Sequence, residues 1–177
     1  VIDAAYSNGA RISNNSWGYN ACFTGTDIGV EYGLDNGDYD EDSQEYDFLV
    51  RDGRPATAPT GGVIGNQEMV IVFGAGNNGK CANGDRLLAG GASISKNTLV
   101  VGATENDNQR GVTDGSGASD THADDIGDVL DMSGRGPTND GRVKPDIMAP
   151  GSHIFGAASQ HASFDGDVIS GGPGNIR

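Results

Sequence analysis

Asn77 is the residue whose sequence context points most directly to chemistry. It follows Val70-Ile71-Val72-Phe73-Gly74-Ala75-Gly76 and precedes Asn78-Gly79. Four apolar residues running into a glycine-rich turn read as a strand buried on both faces that exits abruptly. Such an exit lifts the Asn77 side chain off the rim of a sheet. A primary amide held there by rigid backbone can donate a hydrogen bond to a developing oxyanion. Asn also tolerates left-handed backbone, so stabilising its own turn is the simpler use of the same residue. A nucleophile with its base is harder to find. The stretch Gly91-Ala92-Ser93-Ile94-Ser95 lacks the closing glycine of a nucleophile elbow. His122, His153 and His161 sit in no recognisable catalytic motif.

Charge narrows the partners. The 177 residues carry 25 acids against 11 bases, a formal net charge of −14. That excess argues against nucleic acid and anionic membrane, both of which need basic patches. It suits an acidic extracellular protein. Asp35, Asp38, Asp40 and Asp42 form an acidic run. Such a run is a solvated surface, a helix cap or a calcium site, since hard cations take oxygen ligands; its spacing does not match an EF-hand. Two cysteines, Cys22 and Cys81, are too few for a metal site of their own. They suit one disulfide in an oxidising compartment, or two buried thiols. No apolar stretch is long enough for a transmembrane helix and no signal-peptide pattern is present. The chain starts at Val1 and ends at Arg177 after Gly171-Gly172-Pro173-Gly174, so it reads as beginning inside a longer protein. Its length suits one domain.

The elements that must position Asn77 follow from periodicity. Val1 to Ala10 predicts the tail of a helix, with Ile2, Ala5 and Tyr6 on one face and Asn8-Gly9 as its stop. Arg11 to Trp17 predicts a strand entering a turn at Gly18. Residues 19 to 42 are polar, acidic and glycine-rich, and predict a loop. Ser43 to Arg51 predicts a short helix with Tyr46, Leu49 and Val50 at i, i+3 and i+4, capped by Asp42 or Ser43. Residues 52 to 62 predict a loop, and Val63-Ile64 the start of a helix or turn. Met69 to Phe73 and Thr98 to Ala103 predict buried strands, and 105 to 128 a surface loop. A further strand is predicted at Val129 to Ser133, an apolar piece closed by a turn at Ile147 to Gly151, and a last short candidate at Ile154 to Ala158. Strands alternating with helices predict an α/β fold around a mostly parallel sheet, in which ligands gather at the C-terminal strand edge. Trp17-Gly18 and Gly76-Asn77 are both strand exits, and both lie on that edge if the two strands are neighbours. Cys22 and Cys81 follow them by similar distances, which favours a bridge between the two loops.

Three segments together resemble the subtilisin-like serine peptidases, the subtilases: Gly9 to Gly18 with its Ser16-Trp17-Gly18, Val70 to Gly79, and Ser133-Gly134-Arg135-Gly136-Pro137 through Lys144-Pro145-Asp146-Ile147-Met148-Ala149-Pro150-Gly151. The long third segment is the most specific, and Thr98 to Thr104 matches the strand before it. The resemblance covers nearly the whole chain. It implies a three-layer fold, incomplete at both ends, with residues 1–177 forming the central part of one peptidase domain. It implies a secreted endopeptidase acting on polypeptides through an Asp-His-Ser triad. That triad is expected to lie outside this chain, with Asp and His before Val1 and Ser after Arg177. The chain alone is therefore expected to be inactive, its partners being the flanking segments of the same domain. By the same resemblance Asn77 is the oxyanion donor, Ser16-Trp17-Gly18 the strand that pairs with substrate, and Gly74-Ala75-Gly76 a wall of the pocket for the substrate side chain. Trp17 is equally readable as core packing. No cofactor is required for the chemistry, and a structural calcium ion is a family feature that would suit the acidic run. The alternative is a non-catalytic acidic extracellular domain, derived from such a peptidase, that binds peptide or calcium.

Overall fold

Alternating burial along Val70–Gly74 sets the architecture. A computed structural model describes residues 1–18, 38–80, 88–106, 125–152 and 154. Its strands are β1 (Ile12–Asn15), β2 (Val70–Gly74), β3 (Leu99–Thr104) and β4 (Ile147–Pro150), in the sheet order β1-β2-β3-β4. β1 runs parallel to β2 with Ile12 opposite Val70 and Asn15 opposite Phe73. β2 runs parallel to β3 with Val72 opposite Leu99 and Gly74 opposite Val101. This is the expected α/β class.

Residues opposite one another in a parallel pair share a face, so the register sorts the side chains. Ile71, Phe73 and Val100 share one face and are buried. On the same side pack helix α1 (Ile2–Ser7) through Ile2 and Tyr6, and helix α2 (Glu41–Arg51) through Tyr46, Leu49 and Val50. Each such large apolar side chain contributes about 1.5–3 kcal/mol by leaving water. Ile12, Val70 and Leu99 share the opposite face and are exposed among the described residues.

α1 stops where expected, with Asn8 at its C-cap and Gly9 in left-handed backbone at φ 95°. α2 corrects the sequence expectation at its start. Its N-cap is Asp40, not Asp42 or Ser43, and the Asp40 carboxylate accepts from Ser43 N at 2.7 Å. Several acids in succession compete for this place, and the one whose backbone is extended takes it. Asp47 of α2 is buried and accepts from Tyr39 Oη at 2.8 Å and from Asn97 N at 2.6 Å, tying the helix to the turn before β3. Val63 is irregular and Ile64, exposed, lies in a bend, so neither the helix nor the turn expected there is formed. The strand expected at Val129 to Ser133 is reduced to one antiparallel bridge between Thr104 and Val129. Cys22, Cys81, Asp35, His122, His153, His161 and residues 155–158 lie outside the described residues.

The chain divides into two compact units. The first, Val1–Gly102 with Asp131–Met148, holds both core clusters. The second, Ala103–Leu130 with Ala149–Arg177, is held in its described part by Leu130 N donating to Ala103 O at 3.0 Å and Gly151 N donating to Thr104 O at 2.9 Å. No described helix is long and apolar enough to cross a membrane.

Candidate substrate-binding site

The exits of β1 and β2 stand side by side because the two strands are parallel neighbours in register. Between them opens a cavity of about 390 Å³ lined by Ser16, Trp17, Gly18, Gly74, Gly76, Asn77, Asn78 and Ala89. Six of these were singled out from sequence: Ser16, Trp17, Gly18, Gly74, Gly76 and Asn77. Asn77 is exposed, and its side chain makes no hydrogen bond among the described residues. An amide in that state keeps both N–H groups for a ligand.

Ala75 is placed differently from its neighbours. It is buried in a core cluster with Leu88, Ile94 and Val100, so it supports the wall from behind and does not line the cavity. Alternation at the strand end explains this: Gly74 and Gly76 share one direction and Ala75 takes the other. Trp17 both packs on the core and lines the cavity. Its ring meets Phe73 edge-on at 5.2 Å and Tyr46 at 5.9 Å, yet the residue remains 53% exposed at the cavity. Burial raises the pKa of Tyr46, with the nearby Glu45 and Asp42 carboxylates adding to the effect.

By the family resemblance residues 88 to 92 could form the base of the pocket, with no single residue assigned, and the structure puts Ala89 of that stretch in the lining. It is far from both exits in the chain, and an alanine carries no chemical signal. Its methyl group is the floor against which both glycine exits press. A Cβ on Gly76, whose φ is 91°, would lie 2.5 Å from the Ala89 Cβ, and one on Gly18 would lie 2.9 Å from it. Neither position accepts a side chain without movement. Gly74 faces open space.

The rear of the Asn77 turn rests on the 131–136 segment. Gly134 N donates to Gly76 O at 2.8 Å and Gly79 N donates to Met132 O at 3.0 Å. Further along, Lys144 is buried and its Nζ donates to Thr98 O at 2.9 Å and to Asp146 Oδ2 at 2.7 Å. Asp146 Oδ2 also accepts from Val100 N at 2.7 Å. This group fixes the start of β3 and hence the strand beside the cavity wall.

In the acidic run, Asp40 is occupied as the helix cap and Asp38 accepts from Asn139 Nδ2 at 2.8 Å. Among the described residues no three His, Cys, Asp or Glu side chains gather as a metal site would need.

The sequence model of the subtilase family matches residues 1–172. The chain is 31% identical over 97 residues to the serine protease AprX of Bacillus subtilis strain 168, covering 55% of this chain and 18% of that protein. It is 51% identical over 35 residues to the serine protease/ABC transporter B family protein tagD of Dictyostelium discoideum, covering 20% of this chain and 2% of that one. The matched stretches thus span less than a fifth of these relatives.

Proposed function

The chain belongs to the subtilase family, and we propose that residues 1–177 are the substrate-holding and oxyanion-stabilising part of one serine endopeptidase domain. The observation that carries this is the convergence of Ser16, Trp17 and Gly18 with Gly74, Gly76 and Asn77 on one cavity. An extended polypeptide lies along Ser16 to Gly18 and adds a strand to that edge through backbone hydrogen bonds. The side chain preceding the scissile bond enters the slot walled by Gly74 and Gly76. The scissile carbonyl oxygen then stands at Asn77, whose Nδ2–H donates to it as the tetrahedral intermediate forms. This bond strengthens as negative charge develops, so it lowers the barrier and does not merely tighten binding.

Acyl transfer itself falls to an Asp-His-Ser set outside residues 1–177: Ser attacks, His takes its proton and returns it to the leaving amine, and Asp orients His. By this proposal residues 1–177 alone do not cleave peptides, and no cofactor enters the chemistry. A secreted location and a Cys22–Cys81 disulfide belong to the same proposal, supported by the acidic composition and the cysteine count.

The deciding experiment is Asn77→Ala in the whole protein, assayed on a peptide substrate. In subtilisin, loss of such a donor costs on the order of 10²–10³ in turnover, and a fall of that size with little change in KM is expected here. An unchanged kcat would remove Asn77 from the mechanism. Peptide binding without any cleavage by the wild type would point instead to a non-catalytic binding domain.

A further inference from the structure

Behind the cavity, three consecutive carbonyls of the wall are each held by a donor. Gly74 O accepts from Ser93 Oγ at 3.0 Å, Ala75 O from Ala89 N at 2.8 Å and Gly76 O from Gly134 N at 2.8 Å. Two of these donors are backbone N–H groups, which any residue but proline supplies. At Gly74 the support is a side chain, so there the wall depends on residue identity.

Ser93 is fully buried and does not line the cavity. It sits in the turn Gly91–Ile94, every residue of which is buried. That turn is anchored independently of the cavity. Ser43 Oγ lies 2.8 Å from Gly91 O and 2.7 Å from Asp40 Oδ1, and Ser95 Oγ donates to Ser43 O at 3.0 Å. Thr98 Oγ1 donates to Ala92 O at 2.8 Å. Ser93 therefore reaches Gly74 from a fixed platform. Gly74 itself has nothing within 4 Å of where a Cβ would stand. The other end of the Gly74–Ala75 peptide is already held, because Ala75 N donates to Val101 O at 2.9 Å, so Ser93 fixes the remaining carbonyl end.

We propose that Ser93 is a positioning residue: its hydroxyl seats the Gly74 wall and so helps set which substrate side chain the cavity accepts. The role rests on the cavity being the substrate pocket. Its direct effect is on binding of the entering side chain, because Ser93 never touches substrate.

The test uses the whole protein and two peptide substrates that differ only in a Phe or an Ala before the scissile bond. Ser93→Ala removes the donor with the smallest change of volume. Ser93→Thr and Ser93→Val are alike in shape and differ in whether a donor remains. Ser93→Ala and Ser93→Val are expected to shift the Phe/Ala ratio of kcat/KM on the order of 3–10-fold, the worth of one hydrogen bond, mainly through KM. Ser93→Thr is expected to retain the wild-type ratio. An unchanged ratio in Ser93→Ala, whatever happens to Tm, overturns the role, as do equal shifts in Thr and Val. Ser93→Ala decides the matter if the branched variants do not fold. A wild-type protein that cleaves neither substrate overturns the peptidase function and the Ser93 role together, whereas an active enzyme with an insensitive ratio overturns the Ser93 role alone.

Discussion

Among the described residues, the cavity at the exits of β1 and β2 is lined without a charged side chain, whereas the 138–146 segment is crowded with them. Asp140 is hydrogen-bonded by Arg142 and then by Thr138, and these bonds lower its pKa to about 2. Arg142 reaches Ile94 O at 2.8 Å, and the buried Lys144 pairs with Asp146, whose carboxylate is partly exposed. Perturbed titratable groups usually direct attention to functional sites, though structural ion pairs perturb pKa values equally well. In this chain the perturbed Asp140 carboxylate braces a turn, and the Lys144–Asp146 pair braces a strand. The cavity offers instead a primary amide, close backbone approach and hydrogen bonds made from behind. The contrast teaches that charge here marks scaffold, and that the groups assigned to substrate are neutral dipoles whose value depends on being held still.

Variants in the two regions sharpen the contrast because they should move different observables. The largest effect belongs to the cavity: Asn77→Ala is expected to lower kcat by on the order of 10²–10³ while thermal unfolding of the whole protein barely changes. A large fall in Tm in that variant would mean that Asn77 acts through its turn. Next comes Lys144→Met in the 138–146 segment. It leaves Thr98 O and Asp146 without their charged donor and should cost about 1.5–3 kcal/mol of stability, seen in denaturant unfolding. Its kcat at a temperature where it is folded should match wild type; a fall in kcat comparable to Asn77→Ala would erase the division between the regions.

Asp40→Ala removes the α2 cap and should cost about 1 kcal/mol, again without a change in kcat. The smallest effect, and the one with a pH signature, is Asp140→Asn. The folded-state pKa of Asp140 is depressed from the ordinary 3.8 to about 2. Its carboxylate therefore contributes stability above pH 3.8, and that contribution is lost as pH falls through about 2. The difference in Tm between wild type and Asp140→Asn should be small near pH 6 and close between these two values. A gap that persists at pH 2 would show that the substitution acts by packing and not by charge.

Much of the fold was legible because its signals are contiguous. The apolar run of β2 announces a strand, although Val70 leaves one face exposed where burial on both was expected, and Tyr46, Leu49 and Val50 announce the inward face of α2. Asn8-Gly9 announces the end of α1. The Asn77 turn was legible for the same reason, lying directly at a strand exit. Errors came where several local solutions compete. Any of several acids could cap α2, and the extended backbone of Asp40 decided it. Val129 to Ser133 has strand-forming residues, yet ladder pairing reaches it at one bridge only. The family resemblance put Ala75 with Gly74 and Gly76 in one wall, but the two-residue period of the strand turns it into the core.

The sequence by itself thus determined the element types, the parallel α/β class, the family and the Asn77 turn, because propensity, periodicity and a family motif are each written in neighbouring residues. Tertiary structure alone decided that Ala89 is the floor on which Gly18 and Gly76 close, that Ser93 stands behind Gly74, and that Lys144 pairs beneath β3. These are contacts between residues far apart in the chain, made by types as plain as alanine and serine. Their meaning comes from the few ångströms between backbones brought together by the sheet, and no local pattern encodes that distance.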